Sequence, residues 1–385
     1  MNHFEFATAS RIVFGRGSFD NVGAEVARLG TRAFVLCGSD AERAESLCSQ
    51  LGKNRMEHQI YSVIGEPTTE MVLGAVEAAR RAGCDTVVAV GGGSVVDTGK
   101  VVGAMLTNAG DLIDYLEVIG FGKTLAHPAA PFVAIPTTAG TGAEVTRNAV
   151  VGSIEKRVKV SMRSPYLLPR IAVVDPELTV SMPPSVTAAT GLDALTQLME
   201  AYVSSAANPL TDSICRTGLT RGARSLRRAF ADGEDREARE DLALASLLSG
   251  LALANAKLGA VHGFAGPLGG MFSAPHGAIC ARLLPLVMEA NIEAIVERES
   301  KSPALGRYEE IARIVTQNRS ATAALGVDWI RSLCHDLDVP GIAEYGISEE
   351  HIPQAVEKAQ KASSMKGNPI ELTPQELTQI LLGAL

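Results

Sequence analysis

The sequence lacks the distinguishing features of several protein classes. It has no run of about 18 apolar residues, so no membrane-spanning helix or membrane partner is expected. The first residues, MNHFEFATAS, contain no basic segment followed by an apolar core, so no secretory signal is expected. The six cysteines form no CxxC pair, which favours reduced thiols in a cytoplasmic protein. Lys and Arg number 35 against 43 Asp and Glu, so nucleic acid is not an expected partner.

The rest of the composition is that of a globular protein. Apolar residues make up 46% and charged residues 20% of the 385 positions, and a chain of this length is expected to form two domains of about 150–200 residues. Up to about residue 180, continuous apolar runs alternate with amphipathic segments, which predicts a parallel sheet covered by helices on both faces. The predicted strands are residues 32–37, 86–90, 132–135 and 171–174.

The second half of the sequence shows helical patterns and no convincing strand. The predicted fold class is therefore an α/β nucleotide-binding domain over residues 1–180, followed by an all-α domain over residues 181–385. Residues 242–265 are apolar on nearly all sides and predict one buried helix, and the charged residues 224–240 predict a solvated face or loop. Because no low-complexity linker separates the domains, a ligand is expected in a cleft between them.

A glycine-rich segment, GGGSVVDTGK at residues 91–100, follows a predicted strand and begins a helix. Glycines let backbone N–H groups approach a pyrophosphate closely, and a helix N-terminus offers unsatisfied donors and the positive end of its dipole. A tight turn would explain the glycines alone, but the strand, the serine and the helix together favour phosphate binding. The fingerprint GxGxxG is absent, and its nearest match, at Gly15 and Gly17, predicts only a turn.

A second loop, PTTAGTGAEVT at residues 136–146, also follows an apolar strand. Its threonine hydroxyls can form hydrogen bonds to a sugar, a base or a phosphate. The same hydroxyls could equally serve the fold, so the loop by itself leaves both interpretations open.

Candidate metal ligands are spread over the second half of the sequence. Asp193 and Gln197 are four residues apart in a helical stretch, so both side chains lie on one face. His262 is placed at the end of the apolar helix, and His276 is placed in a turn, APHG, that enters the next helix. A single histidine is more often a satisfied core residue, but one carboxylate with two imidazoles suits Zn²⁺ or Fe²⁺.

These motifs together resemble the iron-containing (group III) alcohol dehydrogenase family of the dehydroquinate-synthase-like superfamily. The strings GGGSVVDTGK, PTTAGTGAEVT, GLDAL and PHG occur in the order and spacing of that family, and the resemblance extends over essentially the whole chain. It implies an oxidoreductase that uses NAD(P) and a divalent metal. It also implies a homodimer or a larger homo-oligomer.

The resemblance also implies which residues bind the cofactor and the metal. The pyrophosphate loop of the family corresponds to Gly92, Gly93 and Ser94, with Asp97 beside it. Contacts to adenine and ribose correspond to Thr137, Thr138, Thr146 and Lys159. The metal ligands, which are also the expected catalytic groups, correspond to Asp193, His262 and His276.

Two departures from the family concern the metal centre. Gln197 stands where the iron enzymes usually have a histidine, and an amide oxygen is a weaker ligand than an imidazole. We include Gln197 as the fourth expected ligand. Gly266 stands where many members have a histidine that helps proton transfer, so this chain lacks a protonatable group there.

A third departure concerns the choice of cofactor. Gly38 follows the strand 32–37 at the position where NAD-selective members often have an aspartate, which would repel a 2′-phosphate. The turn of Gly38, Ser39 and Asp40 therefore predicts that NADP is accepted, with Arg43 as a candidate phosphate partner. A preference for NAD of more than about tenfold, worth about 1.4 kcal/mol, would contradict this prediction.

The sequence thus favours metal-assisted hydride transfer between NAD(P)(H) and a small alcohol or aldehyde. The first alternative is a metal-independent NAD(P)H-dependent reductase of an oxoacid or activated aldehyde, similar to maleylacetate reductase, which Gln197 and Gly266 motivate. A lyase of the dehydroquinate-synthase type would need several basic residues for a phosphorylated sugar acid, whereas the helices beside the metal ligands offer only Lys257. The last alternative is a nucleotide-binding protein without catalytic activity.

Overall fold

The structure, a computed structural model, describes residues 3–38, 41–272 and 274–385. The chain divides into two compact units. The α/β unit comprises Ala7–Thr138 and Gly142–Thr179, and the helical unit comprises Met1–Phe6, Ala139–Thr141 and Val180–Leu385. The predicted fold class, a parallel sheet with helices followed by a helical region, is confirmed. Ser39 and Asp40, part of the turn predicted to select the cofactor, lie outside the described residues.

The strands of the α/β unit form one parallel sheet and one antiparallel hairpin. They are β1 (Ile12–Phe14), β2 (Arg32–Cys37), β3 (Glu57–Ser62), β4 (Thr86–Gly91), β5 (Phe132–Pro136), β6 (Asn148–Ser153), β7 (Val158–Arg163) and β8 (Ile171–Val174). The parallel sheet has the order β1-β8-β5-β4-β2-β3, and β6 pairs with β7 in the hairpin. The four predicted strands correspond to β2, β4, β5 and β8.

The sheet is buried on both faces, as the continuous apolar runs predict. Along β2, Phe34 and Leu36 pack into one apolar core, whereas Val35 and Cys37 pack into the other. Strand β3, EHQIYS, was not predicted because it is an edge strand whose residues are mostly exposed and polar. The two cores hold the helices of this unit against the sheet. These helices are α1 (Val22–Val26), α2 (Ala41–Lys53), α3 (Thr69–Arg81), α4 (Gly93–Thr107) and α5 (Leu112–Tyr115).

The helical unit packs around a single apolar core. Helix α7, which equals α10 in length, begins at a capping box in which the side chain of Asn208 accepts from the N–H of Thr211 and the Thr211 hydroxyl accepts from the N–H of Asn208. The helices are α6 (Pro184–Val203), α7 (Pro209–Ala231), α8 (Arg236–Asn255), α9 (Ala260–Met271), α10 (His276–Arg298), α11 (Pro303–Thr316), α12 (Ala323–Asp336), α13 (Ile352–Lys361) and α14 (Pro374–Ala384).

One prediction for this unit was wrong, and a second was right in part. Residues 242–265 are not one helix, because α8 ends at Asn255 and α9 begins at Ala260 at an angle of 97°. His262 therefore lies in the first turn of α9 and does not end a helix. Of the two alternatives predicted for residues 224–240, the loop is wrong because they belong mainly to α7 and α8, whereas the solvated face agrees with the exposed side chains of Arg224, Arg228 and Glu237. Arg239 is only 1% exposed, and its guanidinium donates to the Thr187 hydroxyl and to backbone carbonyls.

Among the residues that the structure describes, no single helix is both long and apolar enough to cross a membrane. Within the described ranges, one bent pair, α8 with α9, meets the criteria of length and composition. Much of each of the two helices is buried in the helical unit.

Candidate active site

Four side chains from three helices meet in the helical unit. They are Asp193 on α6, His262 on α9, and His276 and Cys280 on α10, and their ligand atoms all lie within 4.8 Å of one another. Asp193 Oδ1 lies 3.3 Å from Nε2 of His262 and 3.8 Å from Nε2 of His276. Cys280 Sγ lies 3.9 Å and 3.7 Å from the same two nitrogens. We call these four residues the donor cluster.

Helix α6 contributes more than one polar side chain to this region. Asp193, Gln197 and Glu200 recur at intervals of four and three residues, so they follow one face of the helix. The amide nitrogen of Gln197 donates to Asp193 Oδ2 over 3.3 Å, and its carbonyl oxygen accepts from the Ser249 hydroxyl over 3.0 Å. The amide of Gln197 therefore contacts the carboxylate of Asp193 through its nitrogen.

Glu200 holds His262 in place. One carboxylate oxygen of Glu200 accepts from the N–H of Val261 over 2.7 Å, at the N-terminus of α9, where a negative charge is favourable. The other oxygen lies 2.6 Å from Nδ1 of His262. A proton on Nδ1 leaves the lone pair of Nε2 directed toward the donor cluster, which is the arrangement typical of a metal-binding histidine.

The start of α10 brings His276 close to α6. His276 is the first residue of α10. A Cβ added to the next residue, Gly277, would lie 2.3 Å from the backbone oxygen of Ala189 on α6. The absence of a side chain at Gly277 therefore allows the two helices to approach closely enough for His276 to reach Asp193.

The donor cluster fits a metal ion. Asp193 is 2% exposed, and its Oδ1 has no hydrogen-bond partner although it faces two imidazoles. A buried carboxylate oxygen without a partner is costly, and a cation would satisfy it. Carboxylate, imidazole and thiolate are the ordinary ligands of Zn²⁺.

The electrostatics of the donor cluster also favour a cation. Burial alone would raise the pKa of Asp193, but the close approach of His262 and the charges of both imidazoles outweigh it and lower the pKa. Burial disfavours the imidazolium of His262, yet Cys280, Asp193 and Glu200 raise its pKa well above the usual value. The surroundings thus stabilise positive charge among these donors.

A second candidate region is the C-terminal edge of the parallel sheet. Strand β2 leads outward to β3, whereas β4 leads to β5 on its other side, so the direction of winding reverses between β2 and β4. Ligands of doubly wound sheets bind at such switch points. Gly38 follows β2, the segment from Gly92 to Ser94 follows β4, and Thr137 and Thr138 follow β5.

Helix α4 begins at this edge in a form that suits a pyrophosphate. Gly92 is its N-cap, and no side chain caps the helix. The carbonyl of Gly92 accepts from the N–H groups of Val95 and Val96, which leaves the N–H groups of the first two helical residues, Gly93 and Ser94, outside these backbone bonds. The donors and the dipole of α4 therefore remain available to an anion.

Two predicted cofactor residues are engaged within the α/β unit. Asp97 Oδ2 accepts from the N–H of Val150 over 2.9 Å, and the other oxygen lies 3.3 Å from the ammonium of Lys100. Lys100 is 1% exposed and donates to the Thr146 hydroxyl over 2.8 Å. The side chains of Asp97 and Thr146 thus join α4 to the segment around β6, and a role for them in cofactor binding stays a prediction.

The remaining predicted cofactor residues have different surroundings. Thr137 is buried and its N–H donates to the Gly91 carbonyl over 3.0 Å, while Thr138 is half-buried beside the glycine-rich loop. The ammonium of Lys159 on β7 lies 2.6 Å from the carboxylate of Glu66. Thr137 and Thr138 reach the switch-point edge, and a contact from Lys159 to a ribose stays a prediction.

Sequence reasoning missed two residues of the site. Glu200 is seven positions after Asp193, and Cys280 is four positions after His276. The spacing rule that linked Asp193 to Gln197 would have placed both residues on the faces that carry ligands. A single glutamate and a single cysteine drew no notice because such residues are common in helices without any functional role.

Comparisons with known proteins agree with both units. Residues 9–176 match the family model "Iron-containing alcohol dehydrogenase", and residues 187–385 match "Fe-containing alcohol dehydrogenase family, C-terminal". A 1,3-propanediol dehydrogenase of Klebsiella pneumoniae is 35% identical, over 98% of this chain and 97% of the relative. An NAD-dependent methanol dehydrogenase of Bacillus methanolicus is 32% identical, over 100% of both chains. The crystal structure of a 1,3-propanediol oxidoreductase superposes with a TM-score of 0.91 at 34% identity and covers 100% of both chains.

The chain combines a parallel sheet, which has a glycine-rich loop at its switch point, with a helical region that contains a cluster of metal-ligand side chains. This combination is that of a class of oxidoreductases. The chain belongs to the iron-containing alcohol dehydrogenase family. The predicted family and the predicted enzyme class are therefore confirmed.

Proposed function

We propose that this chain catalyses reversible hydride transfer between NAD(P)(H) and a small alcohol or aldehyde, with Fe²⁺ or Zn²⁺ bound in the helical unit. The observation that carries the proposal is the buried Oδ1 of Asp193, which faces the imidazoles of His262 and His276 without a hydrogen-bond partner. Such an arrangement costs about 1–3 kcal/mol unless a cation satisfies the oxygen.

The chain's own groups prepare the metal site and keep it in one geometry. Asp193, His262 and His276 would hold the metal, which when bound supplies a Lewis acid for a carbonyl oxygen. Glu200 fixes the tautomer and the ring orientation of His262. Gln197 donates to the Asp193 oxygen that does not face the imidazoles. Val261 and Phe264, on the same helix as His262, are fully buried and anchor α9 in the apolar core of the helical unit.

Proton transfer needs a route that does not depend on a neighbouring histidine. Gly266, on the same helix as His262, carries no side chain, and a Cβ added there would meet nothing within 4 Å. The alcohol proton therefore leaves through solvent or a hydroxyl in this proposal. The side chain of His276 is 33% exposed, so the donor cluster is accessible on the side of this residue.

The α/β unit would hold the nicotinamide cofactor at the switch point of its sheet. The N-terminus of α4, with Gly92, Gly93 and Ser94, would bind the pyrophosphate. Gly38 leaves space for a 2′-phosphate, so NADP as well as NAD is proposed as a cofactor. Two relatives are named for 1,3-propanediol and methanol, which supports short aliphatic alcohols as the substrate class.

The test is metal content together with turnover. Elemental mass spectrometry of anaerobically purified protein is expected to give about one Fe or Zn per chain. His276→Ala should lower both the metal content and the turnover on a short alcohol, whereas His335→Ala, at a residue whose side chain is 90% exposed, should change neither. Full activity of metal-free protein would refute the proposal and favour the metal-independent reductase of an oxoacid or activated aldehyde.

Compartment and assembly are also proposals. We place the protein in the cytoplasm. All six cysteines are free thiols, which is typical of proteins in a reducing compartment. We propose a homodimer or a larger homo-oligomer, which is supported by β1, an edge strand with one neighbour in the sheet. Size-exclusion chromatography with light scattering would show a monomer if the second proposal is wrong.

A further inference from the structure

We propose that the thiolate of Cys280 is a ligand of the metal, so that the centre contains one carboxylate, two imidazoles and one thiolate and favours Zn²⁺. This inference rests on the proposed metal-dependent function. It goes beyond the three ligands that the resemblance implies, and it differs from the expectation that Gln197 is the fourth.

The position of Cys280 matches that of a ligand. It lies one helical turn after His276 on α10, so both side chains lie on the same face of the helix. Its sulfur lies 3.9 Å from Nε2 of His262 and 3.7 Å from Nε2 of His276. In a tetrahedral zinc site with bonds of about 2.0–2.3 Å, donor atoms lie about 3.3–3.8 Å apart. The separations of these donors already approach those values.

An independent observation shows that the donor cluster faces a missing partner. Asp193 Oδ1 is buried and lacks a hydrogen-bond partner, and it lies among the same two imidazole nitrogens that Cys280 approaches. A cation held jointly by Asp193 and Cys280 satisfies both groups.

Gln197 is occupied in another way. Its carbonyl oxygen, the only atom of the side chain that could bind a metal well, accepts from the Ser249 hydroxyl. The Ser249 hydroxyl also lies within hydrogen-bond distance of the Ser246 and Gly140 carbonyls, so it is held in place by its surroundings. Gln197 therefore acts as a positioning residue for Asp193, and the fourth ligand position falls to Cys280.

The donor set also determines the preferred ion and the charge. Thiolate is a soft ligand that selects Zn²⁺, whereas an amide oxygen contributes little selectivity between Zn²⁺ and Fe²⁺. When the metal binds, the thiol of Cys280 releases its proton to solvent. The charges of Asp193 and Cys280 then balance those of the divalent ion, which favours burial of the centre.

The experiment is cobalt reconstitution of the full chain after chelation. Sulfur-to-Co²⁺ charge transfer gives a near-ultraviolet band, and the d–d bands report Co²⁺ binding by any ligand set. We expect both in the unmodified chain and in Cys215→Ser, a control at another fully buried cysteine. In Cys280→Ser the charge-transfer band should disappear, and Zn²⁺ affinity should fall at least about tenfold, since even outer groups of metal sites contribute that much.

A further variant separates the two candidate ligands. Gln197→Leu should retain the charge-transfer band because the leucine leaves Cys280 in place. If the unmodified chain shows the cobalt d–d bands but no sulfur-to-Co²⁺ charge-transfer band, Cys280 is not a ligand. The proposed metal-dependent function would still stand in that case. Loss of the metal in Gln197→Leu, with full retention in Cys280→Ser, would equally overturn the inference. Failure of the chain to bind any Co²⁺ or Zn²⁺ would overturn both proposals.

Discussion

Gly38, at the end of β2, leaves open a position from which a side chain could meet the ribose of a bound nucleotide. The residue is adjacent to the last strand pair of the switch point, where Cys37 pairs with Val90. A Cβ at Gly38 would lie 3.8 Å from a methyl group of Val95, which is an ordinary contact. A Cβ therefore meets no close contact here among the described residues, so packing does not explain the glycine.

This gives a prediction for cofactor choice. Gly38→Asp should lower kcat/KM for NADP at least about tenfold relative to NAD, because a carboxylate repels the 2′-phosphate and bonds the 2′-hydroxyl. The measurement is steady-state kinetics with both cofactors at a fixed alcohol concentration. Gly38→Ala serves as the control and should leave the ratio nearly unchanged. An unaltered ratio in Gly38→Asp would show that this residue does not face the ribose.

At the scale of secondary structure elements, the close contact of α10 with α6 determines whether the donor cluster can form. His276 and Cys280 belong to α10, and Asp193 belongs to α6. The contact is made at Gly277, where only hydrogen fits against the Ala189 carbonyl. The rest of the cluster depends on this approach because a shift of α10 would move two donors at once.

We predict that Gly277→Ala separates these helices. An added methyl group within 2.3 Å of a backbone oxygen forces a displacement, which should destabilise the protein by about 1–3 kcal/mol and lower its metal content. Gly306→Ala, on α11 with nothing within 4 Å of the added Cβ, should instead stabilise it by about 0.5–1 kcal/mol. Chemical denaturation measures the free energy of unfolding of both variants, and elemental analysis measures their metal content. Equal stability of the two variants would contradict the role assigned to Gly277.

The predictability of each element follows from its surroundings. Strand β4 was recognised because TVVAV is buried on both faces and therefore continuously apolar. The break between α8 and α9 was missed because both helices are buried, so hydrophobicity shows no boundary there, although Gly259 as the N-cap of α9 was a signal. Asp193 and His276 were predicted as ligands from their residue types and context. Glu200 and Cys280 required knowledge of which helices meet.

At the scale of the whole molecule, one buried carboxyl group links stability to pH. Glu144 is 3% exposed, and burial raises its pKa from 4.5 to about 7, although its backbone hydrogen bond and the charge of Lys100 oppose the shift. Between these two pH values the unfolded chain loses the proton and the folded chain retains it. The stability contributed by protonated Glu144 is therefore complete below about pH 4.5, falls as the pH rises, and is constant above about pH 7.

The corresponding prediction compares two variants over this pH range. In the unmodified chain, the titration of Glu144 should lower the free energy of unfolding by about 3 kcal/mol between pH 4.5 and about pH 7, and Glu144→Gln should remove this decrease. Glu155→Gln, at an exposed glutamate of the same unit, should retain the dependence. Urea unfolding at several pH values measures the difference between each variant and the unmodified chain. Parallel profiles for the unmodified chain and Glu144→Gln would exclude Glu144 as the titrating group.

Glu200 holds both the first turn of α9 and the imidazole of His262 with the two oxygens of one carboxylate. The position of His262 is therefore set by the protein and not by the ion. Departure of a bound ion would therefore leave His262 in its coordinating position. We expect metal exchange to be a simple bimolecular event whose rate is governed by dehydration of the incoming ion, and repeated cycles of removal and reloading to leave the protein intact.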